Sequence, residues 1–577
     1  MVHRIKRYLS TSDVFNVIMI VLFVGLLFGI SICQSTMTWR SDTYFHLSRI
    51  HDMTAYLKSL HMPLMVNIHS FANTGQAING MYPNFSLLPL IFITSGLKPI
   101  AQYETIIFLF ILLGSVLNYF IFQRFHASKL QALAAVFATF TFINIFYSSS
   151  LNLFGVWSIY FSLPMALLSL KKLFETNAWS YIISLAISVS FVLNTHLLNA
   201  VIMVGVLLVY FIYLWMSSNK KLLTLFKTVV AAVVSILLSL PTLVSVLSFS
   251  KVHLSSVHEF SLADGTLNIE SMIHSLTNPT IFGAATPPIF GVLLVVDILL
   301  VMNLKQFSQH AKVVILIIFA GQFMISPFFP WELLQKTPIS IIQFPTRLVP
   351  FILIIAVVII FTDKGMNKTN FLLIVMLGSV GLTASYQTSN YITKRNFHNF
   401  SEVQATINMN NFNSIANYSE NTKISNDTLL DHSFYRIYSY PEYIPQTKKN
   451  DSKSDKQINS VNDHELFVNK TKVNNFQTSY KNNKLVFTFN EKQTGWVNLP
   501  IWYYPNMNYS IIADSGVLTT RVSDRHTLEV KTPSTKQLTI KIRNPQIMNL
   551  VYISSIIIWC LSIGVLVTRI KFNTNRQ

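Results

Sequence analysis

The chain has 577 residues, of which 51% are hydrophobic and 12% charged, with a net charge of +19; a soluble enzyme does not carry span-length apolar runs along most of its sequence, so a polytopic membrane protein is expected. The two cysteines, Cys33 and Cys560, lie in or beside apolar runs, which excludes a disulfide framework, a haem site and a thiolate metal site. The basic residues fall where a membrane topology puts them, so no nucleic-acid partner is expected.

The first apolar run, Val14 to Ile32, follows the basic stretch His3-Arg4-Ile5-Lys6-Arg7. It is longer than a signal-peptide core, and Ile32-Cys33-Gln34-Ser35 is no small-residue cleavage site, so it reads as an uncleaved span with a cytoplasmic N-terminus. Directly after it stands Trp39-Arg40-Ser41-Asp42-Thr43-Tyr44-Phe45-His46-Leu47-Ser48-Arg49-Ile50-His51-Asp52. On a helix Asp42, His46 and Arg49 are spaced i, i+4, i+7 and share a face, which brings a carboxylate, an imidazole and a guanidinium together where a span meets water. Such a carboxylate can act as general base for a hydroxyl or help hold a divalent cation. The alternative is a set of solvated juxtamembrane charges; the companions His51 and Asp52 strengthen the functional reading.

The next stretches, Asn67 to Gly75 with His69 and Asn79 to Phe85 with Tyr82, mix polar, aromatic and turn-forming residues and read as a folded outer loop. Tyr82 and Phe85 suit interface anchors or the wall of a site. The apolar run Phe85 to Leu97 is too short to cross comfortably. Twelve spans are expected, over residues 14–33, 105–123, 131–148, 154–170, 178–194, 197–216, 226–248, 288–303, 312–327, 347–362, 369–386 and 548–568. With Phe85 to Leu97 kept on the outer side, Lys171, Lys172, Lys220, Lys221, Lys305, Lys364 and Arg569 all face the cytoplasm, as the positive-inside rule requires, and both termini are cytoplasmic.

That topology leaves outer loops 34–104, 249–287 and 328–346 and a long outer segment 387–547. It puts His196, in Asn194-Thr195-His196-Leu197, on the outer face, either as a turn histidine bound to backbone or as a phosphate-binding group. Arg347, in Gln343-Phe344-Pro345-Thr346-Arg347, enters a late span from the same side, either snorkelling to headgroups or gripping a lipid-linked phosphate with its planar fork. Asp297 lies within a span, where a structural hydrogen bond is the expected role.

The segment 387–547 turns to Asn, Ser, Thr, Lys and Tyr, with a solvated tract at Gln446 to Asp463 expected as a flexible loop. From Lys484 alternating strands follow at 485–489, 495–499, 510–512, 527–530 and 538–542. A membrane domain over 1–386, an extracytoplasmic domain over 387–547 that is β-rich from about 484 and of sandwich or jelly-roll type, and a last span with a cytoplasmic tail over 548–577 are therefore expected.

The order of these motifs, Asp42 to Ile50, Gly80-Met81-Tyr82-Pro83, Thr195-His196-Leu197, Gln343 to Arg347 and Leu499-Pro500-Ile501-Trp502-Tyr503-Tyr504-Pro505, resembles bacterial polytopic proteins of the YfhO-like and pyruvoyl-tetrahydropterin-synthase-related membrane group, itself similar to GT-C glycosyltransferases. Nothing supplies the zinc-histidine arrangement of a soluble pterin synthase, and no pterin chemistry is expected. The resemblance implies a helical GT-C-like fold in the bacterial plasma membrane and transfer of a sugar from a polyprenyl-phosphate carrier to a cell-envelope glycan or teichoic-acid-like acceptor. Asp42 would be the base, with His46, Arg49, His196 and Arg347 on the substrate or its phosphate and His51, Asp52, His69 and Tyr82 in support. The resemblance fixes no cofactor; if a divalent cation, magnesium or manganese, is held, Asp42 is its ligand. Ser41 stands where many relatives carry a second acidic residue or a glycine, which argues against obligatory metal dependence. The rival readings are a transporter or flippase of lipid-linked saccharides and a non-catalytic envelope assembly factor. A transporter is expected to place polar groups at mid-membrane on several helices, whereas the candidates here gather at outer ends.

Overall fold

A computed structural model describes residues 9, 11–38, 42–146, 154–176, 178–255, 260–267, 289–363, 398–399, 422–431, 433–436, 439–440, 442–446, 455–481, 483–513 and 516–574. Helix α1 (Asp13–Cys33) is capped by Ser12, whose hydroxyl accepts from Phe15 N at 3.2 Å. Helix α2 (Thr43–Lys58) and a short α3 (Leu88–Thr94) precede α4 (Pro99–Arg124), α5 (Lys129–Phe146), α6 (Phe154–Glu175), α7 (Ser180–Leu193) and α8 (Leu197–Met216). Then come α9 (Lys221–Leu238), α10 (Leu240–Ser248), α11 (Ile289–Met302), α12 (Gln309–Ile325), α13 (Val349–Thr362), α14 (Asp455–Asn462) and α15 (Gln546–Thr574).

Six of these helices, α4, α6, α8, α9, α15 and the segment Pro345–Thr362 that contains α13, are long and apolar enough to cross a membrane; five further apolar helices are shorter. The chain is thus a multi-pass membrane protein. Helix α6 is central, 89% buried over its most apolar window, and packs against α4, α7, α8 and α13, whereas α8, α9 and α15 are less than a third buried and present apolar faces outward. Small residues permit the close contacts: a Cβ on Gly114 of α4 would lie 3.3 Å from the Tyr160 and Phe161 rings of α6, and Ser169 Oγ donates to Ser184 Oγ at 2.8 Å between α6 and α7.

The expected span 226–248 is broken into α9 and α10, with Pro241 in the first turn of α10. Proline lacks the N–H that would continue the helix. The carbonyl of Leu238 at the break accepts instead from Trp559 Nε1 at 2.9 Å and Asn194 Nδ2 at 3.0 Å, so no polar backbone is abandoned in an apolar setting. The expected span 369–386 lies outside the described residues. Within Phe85 to Leu97 the helix covers only Leu88–Thr94, about 10 Å of rise and far too short to cross.

The C-terminal region is a sheet of eight strands in the order β5 (Thr471–Val473), β4 (Leu466–Val468), β7 (Lys484–Trp502), β11 (Thr527–Arg543), β8 (Asn508–Ala513), β9 (Gly516–Val517), with β6 (Phe476–Lys481) on β7 and β10 (Thr520–Val522) on β11. Four of the five expected strands are halves of the long β7 and β11, which stay paired to each other through register shifts near Thr532 and Thr535. The first half of β7 pairs with β6 and the second with β4, while β11 pairs first with β10 and then with β8. The sheet also begins earlier than expected, at Leu466. The tract expected as a flexible loop contains α14 at its end: Val461 is fully buried, and Arg525 donates from Nη1 to Ser460 Oγ at 3.1 Å and from Nε to Asn498 Oδ1 at 3.2 Å. The polar composition hid the pair Ile458 and Val461, which supplies the docking face.

The sheet region and the outer loop interlock. Strand β1 (Thr36–Thr38) pairs antiparallel with β3 (Thr422–Ser425), which pairs in parallel with β2 (His398–Asn399). Trp502 N donates to Thr74 O at 2.8 Å, the buried Tyr504 hydroxyl accepts from Ala77 N at 3.1 Å and donates to Tyr443 O at 2.9 Å, and Asn544 binds both Met65 N and Pro63 O at 2.9 Å. Fully buried Gln76 donates to Tyr440 O at 2.6 Å and to Glu442 O, and accepts from Tyr440 N at 3.2 Å. These bonds seat the segment around residues 440–445 over the outer loop, beside the start of α2.

A candidate active site on the outer loops

Asp42 is the N-cap residue of α2, with φ −85° and ψ 10°, and its side chain makes no capping bond. Asp42 is exposed as a residue, yet its carboxylate sits among dense walls, so loss of hydration raises its pKa above the ordinary carboxylate range while the charge of Arg347 works in the opposite direction. A carboxylate in a low-dielectric recess near a guanidinium is poised to take a proton.

One turn on, His46 is 2% exposed, its ring edge-on to Phe154 at 5.1 Å, and its Nδ1 has no hydrogen-bond partner. Burial, then the charges of Arg49 and His196, hold its pKa well below the usual histidine value, so it is a neutral imidazole. Arg49 is 1% exposed and forms no ion pair among the described residues. Its Nη2 donates to Pro83 O at 2.7 Å and Tyr82 O at 3.4 Å, its guanidinium lies 4.3 Å from the centre of the Tyr82 ring, and its Nε is unpartnered. Burial lowers its pKa to about 10, which leaves it charged at neutral pH. Tyr82 is therefore fixed by Arg49 and feels Asp42, Arg347 and Glu442 as well, its hydroxyl pushed up to about 12 chiefly by burial.

His196 arrives from the turn before α8, where its Nδ1 accepts from Asn199 N at 3.2 Å and so caps the helix. That bond fixes the tautomer with hydrogen on Nε2. Burial, then Arg347 and Arg49, lower its pKa to about 3, and its ring stands edge-on to Tyr82 at 5.4 Å. Arg347 lies in the short helical turn Pro345–Leu348 ahead of α13 and donates from Nη2 to Gln343 Oε1 at 2.7 Å. Gln343 holds a left-handed backbone at φ 63° and ψ −52°, closed by Phe344 N donating to Ile342 O at 2.7 Å. This is a strained three-residue turn.

The structure thus brings Asp42, His46, Arg49, Tyr82, His196 and Arg347 into one electrostatic group. It does not bring the remaining candidates there. His51, nine residues past Asp42 and half a turn round the helix, stacks on Tyr435 at 3.8 Å. Asp52 is fully buried, with Oδ1 accepting from His69 N and Oδ2 from Asn79 Nδ2, both at 2.9 Å; burial raises its pKa to about 7. It ties the outer loop to α2. The His69 ring lies between Tyr56 and Tyr480. Asp297 accepts from Gln322 Nε2 at 2.7 Å on the neighbouring α12, a local bond of the expected structural kind.

Four contributors were not among the site residues read from the sequence. Tyr443 and Glu442, which act on Arg49 and Tyr82, come from the polar C-terminal segment, where no periodicity marks them. Gly155 admits His196: a Cβ there would stand 2.6 Å from His196 Cδ2 and 2.7 Å from Asn199 Nδ2. Gln343 anchors Arg347, and its only sequence signal was its place in the Gln-Phe-Pro-x-Arg motif. Among the described residues no three His, Cys, Asp or Glu side chains gather as a metal site, so a divalent cation would rest on Asp42 and on oxygens brought by substrate.

Fold and site together define a multi-pass membrane protein with a polar centre at one end of its helical bundle. No family model matches the chain and no curated protein does, so the group indicated by the motif order has no support from either. Among solved structures the chain is similar to the arabinofuranosyltransferase AftD from mycobacteria, at a TM-score of 0.38 and 14% identity over 65% of this chain and 26% of that one. The chain spans about a quarter of the length of that protein.

Proposed function

We propose that the protein is a membrane glycosyltransferase that moves a sugar from a polyprenyl-phosphate carrier to a glycan acceptor on the extracytoplasmic face of the plasma membrane. The observation that carries this reading is the pairing of a recessed carboxylate at an exposed helix start, Asp42, with a guanidinium from a distant part of the chain, Arg347, beside two neutral histidines. In the reaction Asp42 takes the proton of the acceptor hydroxyl as its oxygen bonds to the anomeric carbon. The bond from that carbon to the phosphate oxygen breaks, and its electron pair leaves with the polyprenyl phosphate. Arg347 and the Nε2–H of His196 stabilise the charge that builds there, the kind of preorganised contact whose loss costs about 3 kcal/mol in comparable sites. Arg49 holds Tyr82 as the wall between base and leaving group. A divalent cation, if the donor phosphate brings one, has Asp42 as its protein ligand.

A direct displacement inverts the anomeric centre. The test is transfer from labelled polyprenyl-phosphate sugars by the purified protein in vesicles, with the anomeric configuration of the product read by NMR. Inverted product is expected. Retention of configuration, or movement of intact lipid-linked sugar between leaflets with no transfer, would overturn the reading, the second outcome in favour of a transporter.

A further inference from the structure

A cavity of ≈ 530 Å³ opens between the outer loop and the C-terminal region, lined by Asn73, Arg436, Asn462, Asp463, His464, Thr478 and Tyr480 and by none of the Asp42 group. Its size is that of a small-molecule site. The outer-loop wall is built under strain: Phe71, Ala72 and Asn73 follow one another in left-handed backbone at φ 54°, 55° and 56°, a conformation costly for residues with a Cβ. Strain of this kind persists where the surroundings over-determine it. Here the His464 ring stands near the Ala72 carbonyl and Asn73 near the Tyr480 hydroxyl, so the cavity's own lining packs on the turn. Asn73 is 6% exposed and its Oδ1 has no partner at all. A buried amide oxygen left unsatisfied at a cavity wall is an acceptor waiting for a donor.

The rest of the lining states what that donor belongs to. Asn462, whose Oδ1 is taken by Ser439 Oγ at 2.6 Å, keeps its Nδ2 as a donor. The Thr478 hydroxyl, the Asp463 carboxylate and the Arg436 guanidinium add donors and acceptors of both kinds. One cation and one anion cancel, which disfavours a phosphorylated or polyanionic ligand. Tyr480 adds an aromatic ring to the lining beside these polar groups. Alternating donors and acceptors next to one aromatic ring match a neutral polyhydroxylated ring. We propose that this cavity is a binding subsite for one neutral sugar unit of the acceptor glycan, which holds the acceptor while its terminal hydroxyl reaches Asp42. The assignment of the sugar to an acceptor rests on the transferase reading.

The test is binding of maltotriose, cellotriose, mannotriose and α-1,5-arabinotriose to the full chain in nanodiscs, measured by saturation-transfer NMR and calorimetry. Thr478→Trp, at an exposed strand position, fills the cavity without entering the core, and an unchanged unfolding midpoint shows that it folds. At least one trisaccharide is expected to bind the wild type, and Thr478→Trp to weaken it about tenfold or more. Failure of all four to bind, or equal binding by Thr478→Trp, would overturn the subsite; if transfer is meanwhile observed, the transferase reading stands without it. Binding that Thr478→Trp abolishes, in a protein that transfers from no donor, would keep a saccharide site and overturn its assignment to an acceptor.

Discussion

At the scale of single residues the site depends on groups that are positioned by others. Arg347 owes its aim to Gln343, whose strained backbone spends stability to place one amide oxygen 2.7 Å from the guanidinium. Gln343→Ala keeps the strain and removes the anchor, and we expect transfer to fall about tenfold with little change in unfolding temperature, measured as initial rates beside a thermal melt. Asp52 makes a different prediction. Its folded pKa of about 7 lies above its unfolded value of about 4, so through that window the native state keeps a proton that the unfolded chain has released. Its contribution is complete at the acid end and is lost as pH rises towards about 7. The melting midpoint of the wild type should therefore fall with pH across this window more steeply than that of Asp52→Asn. The two aspartates ten positions apart looked alike in the sequence. Their environments differ because Asp42 ends a helix at solvent while Asp52, one face away, is enclosed by the loop it binds.

At the scale of elements the apolar runs were legible because hydrophobic length is a strong signal: among the described residues the expected spans before 369 lie on helices to within about two residues at each end, 226–248 on two helices, and 548–568 falls on α15. Two features escaped because they depend on contacts rather than composition. The break at Ser239 follows from Pro241 and from a Leu238 carbonyl that finds partners on α15 and at Asn194. The interlock of β1 with β3 joins residues almost 400 positions apart, which no local pattern announces. The site itself was half legible. Asp42, His46 and Arg49 follow from helical spacing, and His196 and Arg347 from topology, but Tyr443, Glu442 and the Gly155 contact needed the packed chain. That contact carries a prediction: Gly155→Ala on α6 drives a methyl into His196 and Asn199 at the start of α8. Displacing a capping residue costs about 1 kcal/mol, and misplacing a positioned donor can cost about a hundredfold in rate. We expect a folded protein whose transfer rate falls about tenfold to a hundredfold; a wild-type rate in Gly155→Ala would remove His196 from the reaction.

At the scale of the molecule, the helical bundle and the C-terminal sheet act as one support for the outer loops. Helices α8 and α13 deliver His196 and Arg347 to one end of the bundle, and the sheet region, through Tyr504, Trp502 and Asn544, clamps the loop that carries Tyr82, to which Arg49 of α2 is hydrogen-bonded. Chemistry at an extramembrane face requires that both substrates reach Asp42 without crossing the bundle. The most direct measurement is the initial rate of sugar transfer from a polyprenyl-phosphate donor in vesicles of known sidedness, with Asp42→Asn compared with wild type at equal, folded protein. Loss of a general base predicts a fall of about a hundredfold or more for Asp42→Asn, with wild-type activity seen only when acceptor is supplied on the outer side. Undiminished transfer by Asp42→Asn, or transfer to acceptor supplied only on the inner side, would contradict the account.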